Sequence, residues 1–571
     1  MTNFLKRAVP LKTLIIILFL VSAVYIAYHD ALNNDFQSWD TKAYVVNNAH
    51  ITAFTWENIQ WMFTAFYKSN WHPLTWLSHA TDYALFGLNP WGHHLVNVII
   101  HGLNSILVFG LVIVLMTFKR ATEKSSWLAR VDNKILLAAS VAALFFGIHP
   151  QHVESVVWVA ERKDVLCLFF ILLALLSYVF YNTAQTAKAR FYGYFSTLLC
   201  FVLALLAKPM AVTFPVILLL IDVYPLNRTH LTAFHPSSVV SYQKLLIEKI
   251  PFFGLTLFSV ILTLLAQQNA IPTVDMLGIQ MRFLNAFNSL IFYLSKFIFP
   301  IGLSPYYPYP SYTHFHEYYP SLIPVVASFL ITFVCGYLWY QKKYYWLIAW
   351  LFYLVTLSPV IGIIQVGTQA AADRYVYLPT LPFYILLGVG IATVLYSTKT
   401  GKIIKLATIL GIILYGLVLV PLTQKQTTIW RNDLTFWDYV VKYAPERSFP
   451  QFRLGTVYFE MGYYEKALEH YHQAVFLEPQ NMWWYANLPM TYLNLNRLPE
   501  ALAVLNRLEE EDAGYNLDSL YAMKGWIYLR QGLVPKAQSW LQKALNINPD
   551  NQMAQDFLSR IPSNLEPKAL E

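Results

Sequence analysis

Residues Leu95–Phe118 read LVNVIIHGLNSILVFGLVIVLMTF, an apolar stretch without lysine, arginine, aspartate or glutamate. A helix needs about 20 such residues to cross the hydrocarbon core of a bilayer, so the stretch predicts a membrane-spanning helix. Similar runs recur along the chain, and those at Ile135–Ile148 and Met210–Ile221 are short. The remaining runs are Thr13–Tyr28, Val165–Tyr181, Phe191–Ala207, Ile250–Ala266, Phe283–Phe299, Leu322–Tyr340, Trp346–Ile361, Val376–Tyr396 and Ile403–Val420.

The composition agrees with burial in lipid. The chain of 571 residues is 57% hydrophobic and 13% charged, whereas soluble domains carry about 25% charged residues. Aromatic residues reach 16%, as expected where rings anchor helix ends at the membrane interface. The net charge of +8 comes from short loops between apolar runs, so we predict no nucleic-acid partner. Cys167, Cys200 and Cys335 lie inside apolar runs and predict neither disulfides nor a metal site.

Basic residues between the runs predict which side of the membrane each loop occupies, because cytoplasmic loops are enriched in lysine and arginine. All basic clusters fall on one side if every run crosses except Phe283–Phe299. In that run Asn285, Ser289 and Lys296 form a polar stripe, which suits a helix on the outer surface or packed in a cavity. The basic segments are the N-terminus with Lys6, Arg7 and Lys12, then Lys119–Lys134, Lys188–Arg190, Arg228–Lys249, Lys342–Lys343 and Lys399–Lys405.

The predicted topology has about 11 spans, a cytoplasmic N-terminus and an external C-terminus. The first run lacks a following small-residue cleavage site, so we interpret it as an uncleaved span. The external loops are His29–His94, His149–Asp164, Gln267–Ser321 and Gly362–Tyr375. We expect an integral protein of a bacterial inner membrane, with the C-terminal region in the periplasm.

A repeated pattern follows the last apolar run. Gly455, Ala467 and Ala474 recur in kind as Gly525, Ala537 and Ala544, and each set ends near a proline. This is the 34-residue tetratricopeptide pattern, in which small residues let paired helices approach each other. Three units, near 448–481, 482–515 and 518–551, form an α-solenoid with a C-terminal cap. Such a stack presents a concave surface for an extended peptide or protein, although a passive spacer or dimer contact is the alternative.

The predicted fold class is all-α, with a polytopic helical bundle in 1–423 followed by the repeats in 448–571. Residues 29–94 form the large external loop, and 424–447 form a linker helix. The external loops hold most of the polar chemistry. Asp40 comes soon after the first span, where a carboxylate can act as general base on an acceptor hydroxyl. An acid that caps a loop or helix at the interface is the alternative.

The second and fourth external loops carry charges next to long apolar runs. Arg162 and Lys163 precede one run, and Arg374 lies at the mouth of another. Charged residues placed so usually face a cavity or a charged partner, and a guanidinium grips phosphate with two hydrogen bonds. A lipid phosphate is therefore one predicted partner. The alternative for Arg162 and Lys163 is an internal salt bridge to Asp164 or Glu161. The alternative for Arg374 is a pair with Asp373 or an anchor to a lipid headgroup.

Histidines are numerous on the predicted external side. No histidine spacing comes with a matching carboxylate motif, so we predict no metal site and no other cofactor. Hydrogen bonding at the membrane interface explains these side chains more simply. They are His72, His79, His93, His94, His149 and His152.

Several motifs, in this order along the chain, resemble the transmembrane and tetratricopeptide-repeat O-mannosyltransferases and their bacterial relatives. They are Phe36–Asp40, Trp71–Thr75, Leu88–Pro90 with His94–Asn97, His149–Asp164 and Ala372–Pro379. The resemblance covers nearly the whole chain. It implies a C-type glycosyltransferase fold that takes a sugar from a polyprenyl phosphate at the outer leaflet and passes it, with inversion, to an acceptor hydroxyl.

The resemblance also implies roles for particular residues. The family has two consecutive acids in the first loop; Asp40 matches the first, and Thr41 stands at the second. Asp40 is then the catalytic base, and the donor phosphate contacts Arg374, Arg162 and Lys163. Supporting or acceptor-side residues are Glu154, Asp82, His72, His94 and Asp35, where His72 replaces a frequent arginine.

Three functions remain open at this point. The first is protein O-glycosylation on serine or threonine, with mannose as a candidate sugar and the repeats holding the acceptor. The second is a glycan or lipid-acceptor transferase of the same fold. The third is a non-catalytic membrane scaffold that binds partners through its repeats. A transporter fits less well, because no duplication of the apolar segments is evident.

Overall fold

The computed structural model describes residues 11–118, 131–229, 240–268, 278–309, 322–363, 369–511 and 516–561. Most of the basic segment Lys119–Lys134, parts of the third and fourth external loops, and the last ten residues of the predicted cap lie outside these ranges. The described chain divides into two compact units, Met1–Asn432 and Asp433–Glu571. The division falls inside the predicted linker 424–447.

The first unit is helical, with one short two-stranded sheet. Its strands, β1 (Tyr307–Pro308) and β2 (Gln369–Ala371), pair antiparallel. Its helices are α1 (Leu11–Tyr28), α2 (Trp56–Thr64), α3 (Pro73–Phe86), α4 (Pro90–Phe118), α5 (Asn133–Ile148), α6 (Val153–Val157), α7 (Arg162–Thr183), α8 (Ala187–Ala207), α9 (Phe214–Val223), α10 (Tyr242–Gln267), α11 (Ile279–Ile298), α12 (Leu322–Tyr340), α13 (Tyr345–Leu357), α14 (Leu381–Tyr396) and α15 (Lys402–Ile429).

Each predicted apolar run forms a helix or most of one. Among the described residues, seven helices are long and apolar enough to cross a membrane, and a bent pair built from α5 and α6 makes up to eight. Three shorter apolar helices lie at Pro209–Val223, Tyr345–Leu357 and Leu381–Tyr396. The chain is thus an integral membrane protein of helical architecture, and the count of about 11 crossings stays a prediction.

Helix α11 carries the polar stripe predicted for Phe283–Phe299. Its Asn285 and Ser289 are buried, and both side chains donate to the carbonyl of Ala370, at 2.9 and 3.4 Å. Lys296 donates to the carbonyl of Ile301 at 2.5 Å. The stripe therefore faces protein, and its polar groups find backbone acceptors that lipid would not supply.

The second external loop begins at a break between two helical segments. Helix α5 ends at Ile148, and the axis bends by 54° before Pro150–Val157. His149 has an extended backbone, with φ −76° and ψ 129°, because a residue that precedes proline is disfavoured in the helical region. Helix α7 then begins at Arg162. Glu154 therefore lies on the short helix α6, and Arg162, Lys163 and Asp164 lie in the first turn of α7.

The second unit contains the tetratricopeptide repeats. Gly455 and Gly525 are buried where a Cβ atom would meet Tyr471 at 2.8 Å and Leu541 at 2.6 Å, so close helix packing requires glycine at both positions. The middle unit starts with a short 3₁₀ turn, Met482–Tyr485, before its first helix. The helices are α16 (Asp433–Tyr443), α17 (Ser448–Glu460), α18 (Tyr464–Leu477), α19 (Leu488–Asn494), α20 (Leu498–Glu510), α21 (Leu517–Arg530), α22 (Val534–Ile547) and α23 (Gln552–Ser559).

Candidate functional site

The first external loop is fastened to the end of helix α15. Asn34 Nδ2 donates to the Thr427 carbonyl at 3.2 Å, and the backbone N–H of Asp35 donates to the Arg431 carbonyl at 2.8 Å. Gln37 is fully buried, and its Nε2 donates to the Trp430 carbonyl. These bonds use carbonyls in and just beyond the last turn of α15, where the helix supplies no further i+4 donors. The Thr427 carbonyl also accepts the Trp430 N–H at 3.1 Å. The bonds from the loop place the segment that follows, which includes Asp40.

Asp40 is half-buried in a turn that leads into the helical segment Lys42–Val46. Its carbonyl accepts the Tyr44 N–H at 2.9 Å. Burial raises the pKa of the Asp40 carboxyl above its usual value, while the positive charge of Lys163 opposes the rise. Glu161 raises the same pKa, and Arg374 lowers it. The structure therefore brings Asp40, Lys163 and Arg374 into one electrostatic neighbourhood.

Lys163, in the first turn of α7, contacts Glu161 and the ring of Tyr44. Its Nζ is 3.2 Å from Glu161 Oε1 and 5.3 Å from the centre of the Tyr44 ring. Burial raises the pKa of Tyr44 to about 12, so the ring is a neutral platform for the ammonium group. Only 10% of the Lys163 side chain is exposed.

Arg374 is held by two acids and two aromatic rings. Its guanidinium pairs with Glu154 through Nη1, and its Nε is 3.4 Å from Glu161 Oε1. The guanidinium carbon lies 5.3 Å from the Trp158 ring centre and 4.9 Å from that of Tyr375. Neither Asp373 nor a headgroup is needed to explain this arrangement, because Glu154 is the internal partner.

Lys208 completes what we call the charge cluster, which consists of Glu154, Glu161, Lys163, Lys208 and Arg374. Lys208 Nζ is 3.2 Å from Glu161 Oε2 and 2.5 Å from Asp164 Oδ1. The sequence analysis missed this residue. Its signal was a lysine followed by proline, between two apolar runs, at the C-terminal end of α8.

Asp373 was named in the sequence analysis only as an alternative partner of Arg374 and not as a candidate site residue. Its Oδ2 accepts the Tyr307 hydroxyl at 2.8 Å. Burial raises the pKa of Asp373 well above its usual value, and the neighbouring charge of Glu154 raises it further. The side chain therefore holds its proton more readily than an ordinary aspartate, which makes it a weak candidate for an ionised base.

Arg162 does not lie with Arg374, which corrects the prediction that both face the same phosphate. The side chain is fully buried, and Nη2 pairs with Asp82 Oδ2 at 2.6 Å. Its other partners are Ser78 Oγ at 2.7 Å, the His93 carbonyl at 2.8 Å and Asn97 Oδ1. The predicted internal partners Glu161 and Asp164 are wrong for Arg162, because its ion pair joins α7 to α3 of the first loop. For Lys163 the predicted pair with Glu161 is present. Asp82 is thereby removed from the candidate acceptor side.

The remaining predicted residues occupy different environments. His72 is fully buried against Tyr44 and Trp76, with ring centroids 5.5 and 4.4 Å apart. Burial and the charge of Lys163 lower the pKa of His72 well below its usual value, so it is neutral. His94 is also fully buried, whereas Asp35 is exposed.

Aromatic rings connect the neighbourhood of Asp40 with that of Arg374. Trp39, next to Asp40 in the chain, packs on Trp158 and Tyr306 at centroid distances of 5.8 and 6.2 Å. Trp158 also contacts Arg374. A carboxylate, two cations and aromatic rings that lie near one another can bind an anionic ligand, since the rings present apolar faces and the cations attract negative charge.

Most of the predicted histidines are buried and neutral. Two of them, His79 and His93, also lie close to a carboxylate in an arrangement that could hold a metal ion. One ligand atom from each of His79, Asp82 and His93 lies within 4.8 Å of the others, and all three residues are buried. His79 and Asp82 are three residues apart and share a helix face. The sequence analysis named both histidines without pairing them with this carboxylate.

Comparisons with known proteins agree with both parts of the architecture. Tetratricopeptide-repeat family models match residues 458–524 and 518–551. The chain is 30% identical to mouse (Mus musculus) "Protein O-mannosyl-transferase TMTC2" over 228 residues, which cover 37% of this chain and 24% of that protein. It is 32% identical to the human (Homo sapiens) TMTC4 protein of the same description over 166 residues, covering 28% of this chain and 22% of that protein.

A longer match joins this chain to human (Homo sapiens) "Protein O-mannosyl-transferase TMTC3", with 23% identity over 469 residues that cover 76% of this chain and 47% of that protein. The chain thus matches between 22% and 47% of the length of these relatives. A solved structure, the APC/C hetero-tetramer Cut9-Hcn1, aligns over 86% of this chain and 89% of its own, at 14% identity. Its TM-score of 0.22 is too low to support an argument. The chain is a relative of the transmembrane and tetratricopeptide-repeat O-mannosyltransferases.

Proposed function

We propose that this protein is a membrane glycosyltransferase that moves a sugar, with mannose as the first candidate, from a polyprenyl phosphate to a serine or threonine hydroxyl of a protein. The relatives named as protein O-mannosyl-transferases support the reaction class. The observation that carries the proposal is the neighbourhood of Asp40, in which Lys163 and Arg374 are close enough to change the pKa of its carboxyl. The reaction belongs on the external face, in a bacterial inner membrane.

The proposed chemistry needs one base and a cationic surface. Asp40 takes the proton of the acceptor hydroxyl while the oxygen attacks the anomeric carbon, and the bond from that carbon to the phosphate oxygen breaks. The polyprenyl phosphate leaves with the electron pair, so no strong general acid is required. Lys163 and Arg374 stabilise the charge that grows on the departing phosphate. Attack from the opposite face inverts the sugar carbon, and no metal takes part in this step.

The acids of the charge cluster prepare Arg374 for this role. Glu154 accepts both its backbone N–H and its Nη1, and the Trp158 ring lies beside the guanidinium carbon. A side chain fixed in this way loses little rotamer freedom when a ligand binds. A guanidinium offers five N–H donors, so a phosphate can bind Arg374 without displacing every internal contact.

The repeats supply the proposed acceptor contact. Tetratricopeptide stacks bind extended peptides and proteins along a concave surface. A protein acceptor held by the second unit would be retained near the membrane between transfers, which raises its effective concentration. The acceptor in this proposal is therefore a protein segment, and a free glycan or lipid would gain nothing from the repeats.

The experiment is transfer of a labelled sugar from polyprenyl phosphate to protein in membranes that contain the full-length chain. Asp40→Asn keeps the side-chain shape but removes the base, so transfer should fall about 10²- to 10⁴-fold. Asp35→Asn is the matched control, because that side chain is exposed and its fastening contact comes from the backbone. Normal transfer by Asp40→Asn contradicts the assignment of the base. If the wild type transfers no sugar from any donor tested, the result supports the non-catalytic membrane scaffold instead.

A further inference from the structure

A buried histidine–aspartate set joins two helices of the first external loop. His79 and Asp82 lie on α3, and His93 lies in the first turn of α4. Among the described residues these are the one group of three or more candidate ligands whose atoms all lie within 4.8 Å of one another. Both histidines are fully buried, and Asp82 is 2% exposed. Two imidazoles and one carboxylate are a common ligand set for zinc.

Two of the candidate ligands, His93 and Asp82, also make hydrogen bonds of the kind that orients metal ligands. His93 Nε2 is 3.0 Å from the Gly87 carbonyl oxygen. Because a carbonyl can only accept, this hydrogen bond requires the proton of His93 to be on Nε2. His93 Nδ1 then has a free lone pair, and it lies 3.5 Å from Asp82 Oδ2. Arg162 holds the same carboxylate at 2.6 Å. Histidine ligands usually donate their other N–H to a carbonyl, and ligating carboxylates are usually hydrogen-bonded as well.

His79 provides an independent observation. Neither of its ring nitrogens has a hydrogen-bond partner within the described ranges, although the side chain is fully buried. A buried polar atom without a partner costs free energy that folding must offset. A ligand between His79, Asp82 and His93 would satisfy a nitrogen of His79 and the Nδ1 lone pair of His93 together.

We propose that His79, Asp82 and His93 bind a Zn²⁺ ion that joins α3 to α4, with a water molecule as the fourth ligand. Ligand atoms in a tetrahedral zinc site are about 3.3 Å apart, so side-chain shifts of around 1 Å close the site from its present spread. The ligands are deprotonated when the carboxylate is ionised and the imidazoles are neutral, which is what zinc requires. Arg162 would remain hydrogen-bonded to the Asp82 carboxylate as an outer contact of the metal site.

The ion would fasten α3 to α4 and is separate from the proposed transfer site. The charged groups that affect the pKa of Asp40 are Lys163, Glu161, Arg374 and Lys68, and none of them belongs to this ligand set. Removal of the metal should therefore loosen the first external loop before it affects any group that contacts a substrate.

The test uses full-length protein purified in detergent without chelator, equilibrated with ZnCl₂ and desalted. Zinc per chain is measured by mass spectrometry, and thermal unfolding is followed with and without a chelator. Wild type should retain one zinc, and a chelator should lower its unfolding temperature. His79→Gln and His93→Gln should each weaken zinc binding at least about tenfold.

His72→Gln is the matched control, because His72 is an equally buried histidine of the same loop that lies outside the ligand set; it should retain zinc. Wild type without bound zinc overturns the proposal. Equal zinc content in wild type and both ligand variants also overturns it. The wild-type titration does not depend on any variant, so a variant that fails to fold leaves the test decisive.

Discussion

Glu154 contacts Arg374 twice, since its Oε2 accepts the Arg374 backbone N–H at 3.1 Å and its Oε1 pairs with Nη1. The two residues come from segments that are 220 positions apart in the chain. One carboxylate therefore fixes both the backbone and the side chain of the arginine. Any substitution of Arg374 changes two properties at once, the internal ion pair and the proposed phosphate contact.

The first prediction separates these properties. Arg374→Ala leaves the Glu154 carboxylate buried without its cation, which should cost about 3–5 kcal/mol of stability. It should also weaken donor binding about 10- to 100-fold, because one charge-assisted contact is lost. Adding Glu154→Gln should restore most of the stability and none of the affinity. Thermal unfolding and binding of a polyprenyl-phosphate sugar are the two measurements.

Restored affinity in the Arg374→Ala/Glu154→Gln variant would show that Arg374 serves stability alone. Arg162→Ala offers a contrast, because Arg162 pairs with Asp82 and lies outside the charge cluster. It should destabilise the protein, and donor affinity measured on the folded fraction should stay close to the wild-type value.

The second prediction concerns the attachment of the first loop. Gln37→Ala removes the bonds from Nε2 to the carbonyls of Asp35 and Trp430, which should cost about 1–3 kcal/mol because buried acceptors lose a donor. Residues near Asp40 should then exchange amide hydrogens faster, and the turnover number should fall more than the donor KM rises. Hydrogen exchange and steady-state kinetics check both statements.

Asp35→Ala is the control for Gln37→Ala. Its contact with Arg431 runs through the backbone N–H, so the substitution keeps that bond. Exchange near Asp40 and turnover should both stay close to wild type. If Asp35→Ala and Gln37→Ala behave alike, the side chain of Gln37 has no special part in placing Asp40.

The helices and repeats were predictable because their signals are local. Apolar runs such as Leu95–Phe118 specify a spanning helix by length alone, and Gly455 and Gly525 mark repeats by spacing. The polar stripe of α11 was predicted from helical periodicity, although not its partner, the carbonyl of Ala370. Local sequence patterns do not show which distant segments of the chain contact each other.

The candidate site shows that limit. Asp40 and Arg374 could be selected from the sequence, because each is a charge at the edge of an apolar run. The partners could not, since Arg162 bonds Asp82 across 80 positions and Lys208 joins Glu161 across 47. Such pairs depend on how helices pack, and a single sequence carries no record of packing.

The third prediction tests the orientation in the membrane. If the basic loops are cytoplasmic, a reporter enzyme that needs an oxidising compartment should be active when fused after Glu571. The same reporter fused after Lys399, between α14 and α15, should be inactive. Activity of the Lys399 fusion together with silence of the Glu571 fusion would invert the topology and put Asp40 on the cytoplasmic side.

The fourth prediction follows from the raised pKa of Asp40. Between the ordinary value and the raised folded value, the folded state binds more protons than the unfolded state, so ionisation of Asp40 opposes folding as pH rises through that window. A general base must be ionised, so kcat/KM should rise with pH through the folded pKa. The acidic limb of the profile should therefore lie above the range of an exposed aspartate.

Neighbouring charges should move that limb in opposite directions. Lys163→Met removes the cation that most lowers the pKa of Asp40, so the limb should move to higher pH. Glu161→Gln removes an anion that raises it, so the limb should move to lower pH. Lys68→Met should act like Lys163→Met but more weakly, and salt should reduce its effect, because Lys68 is exposed and salt screens exposed charges. A limb that stays in place in both the Lys163 and Glu161 variants would mean that the group that titrates is not Asp40.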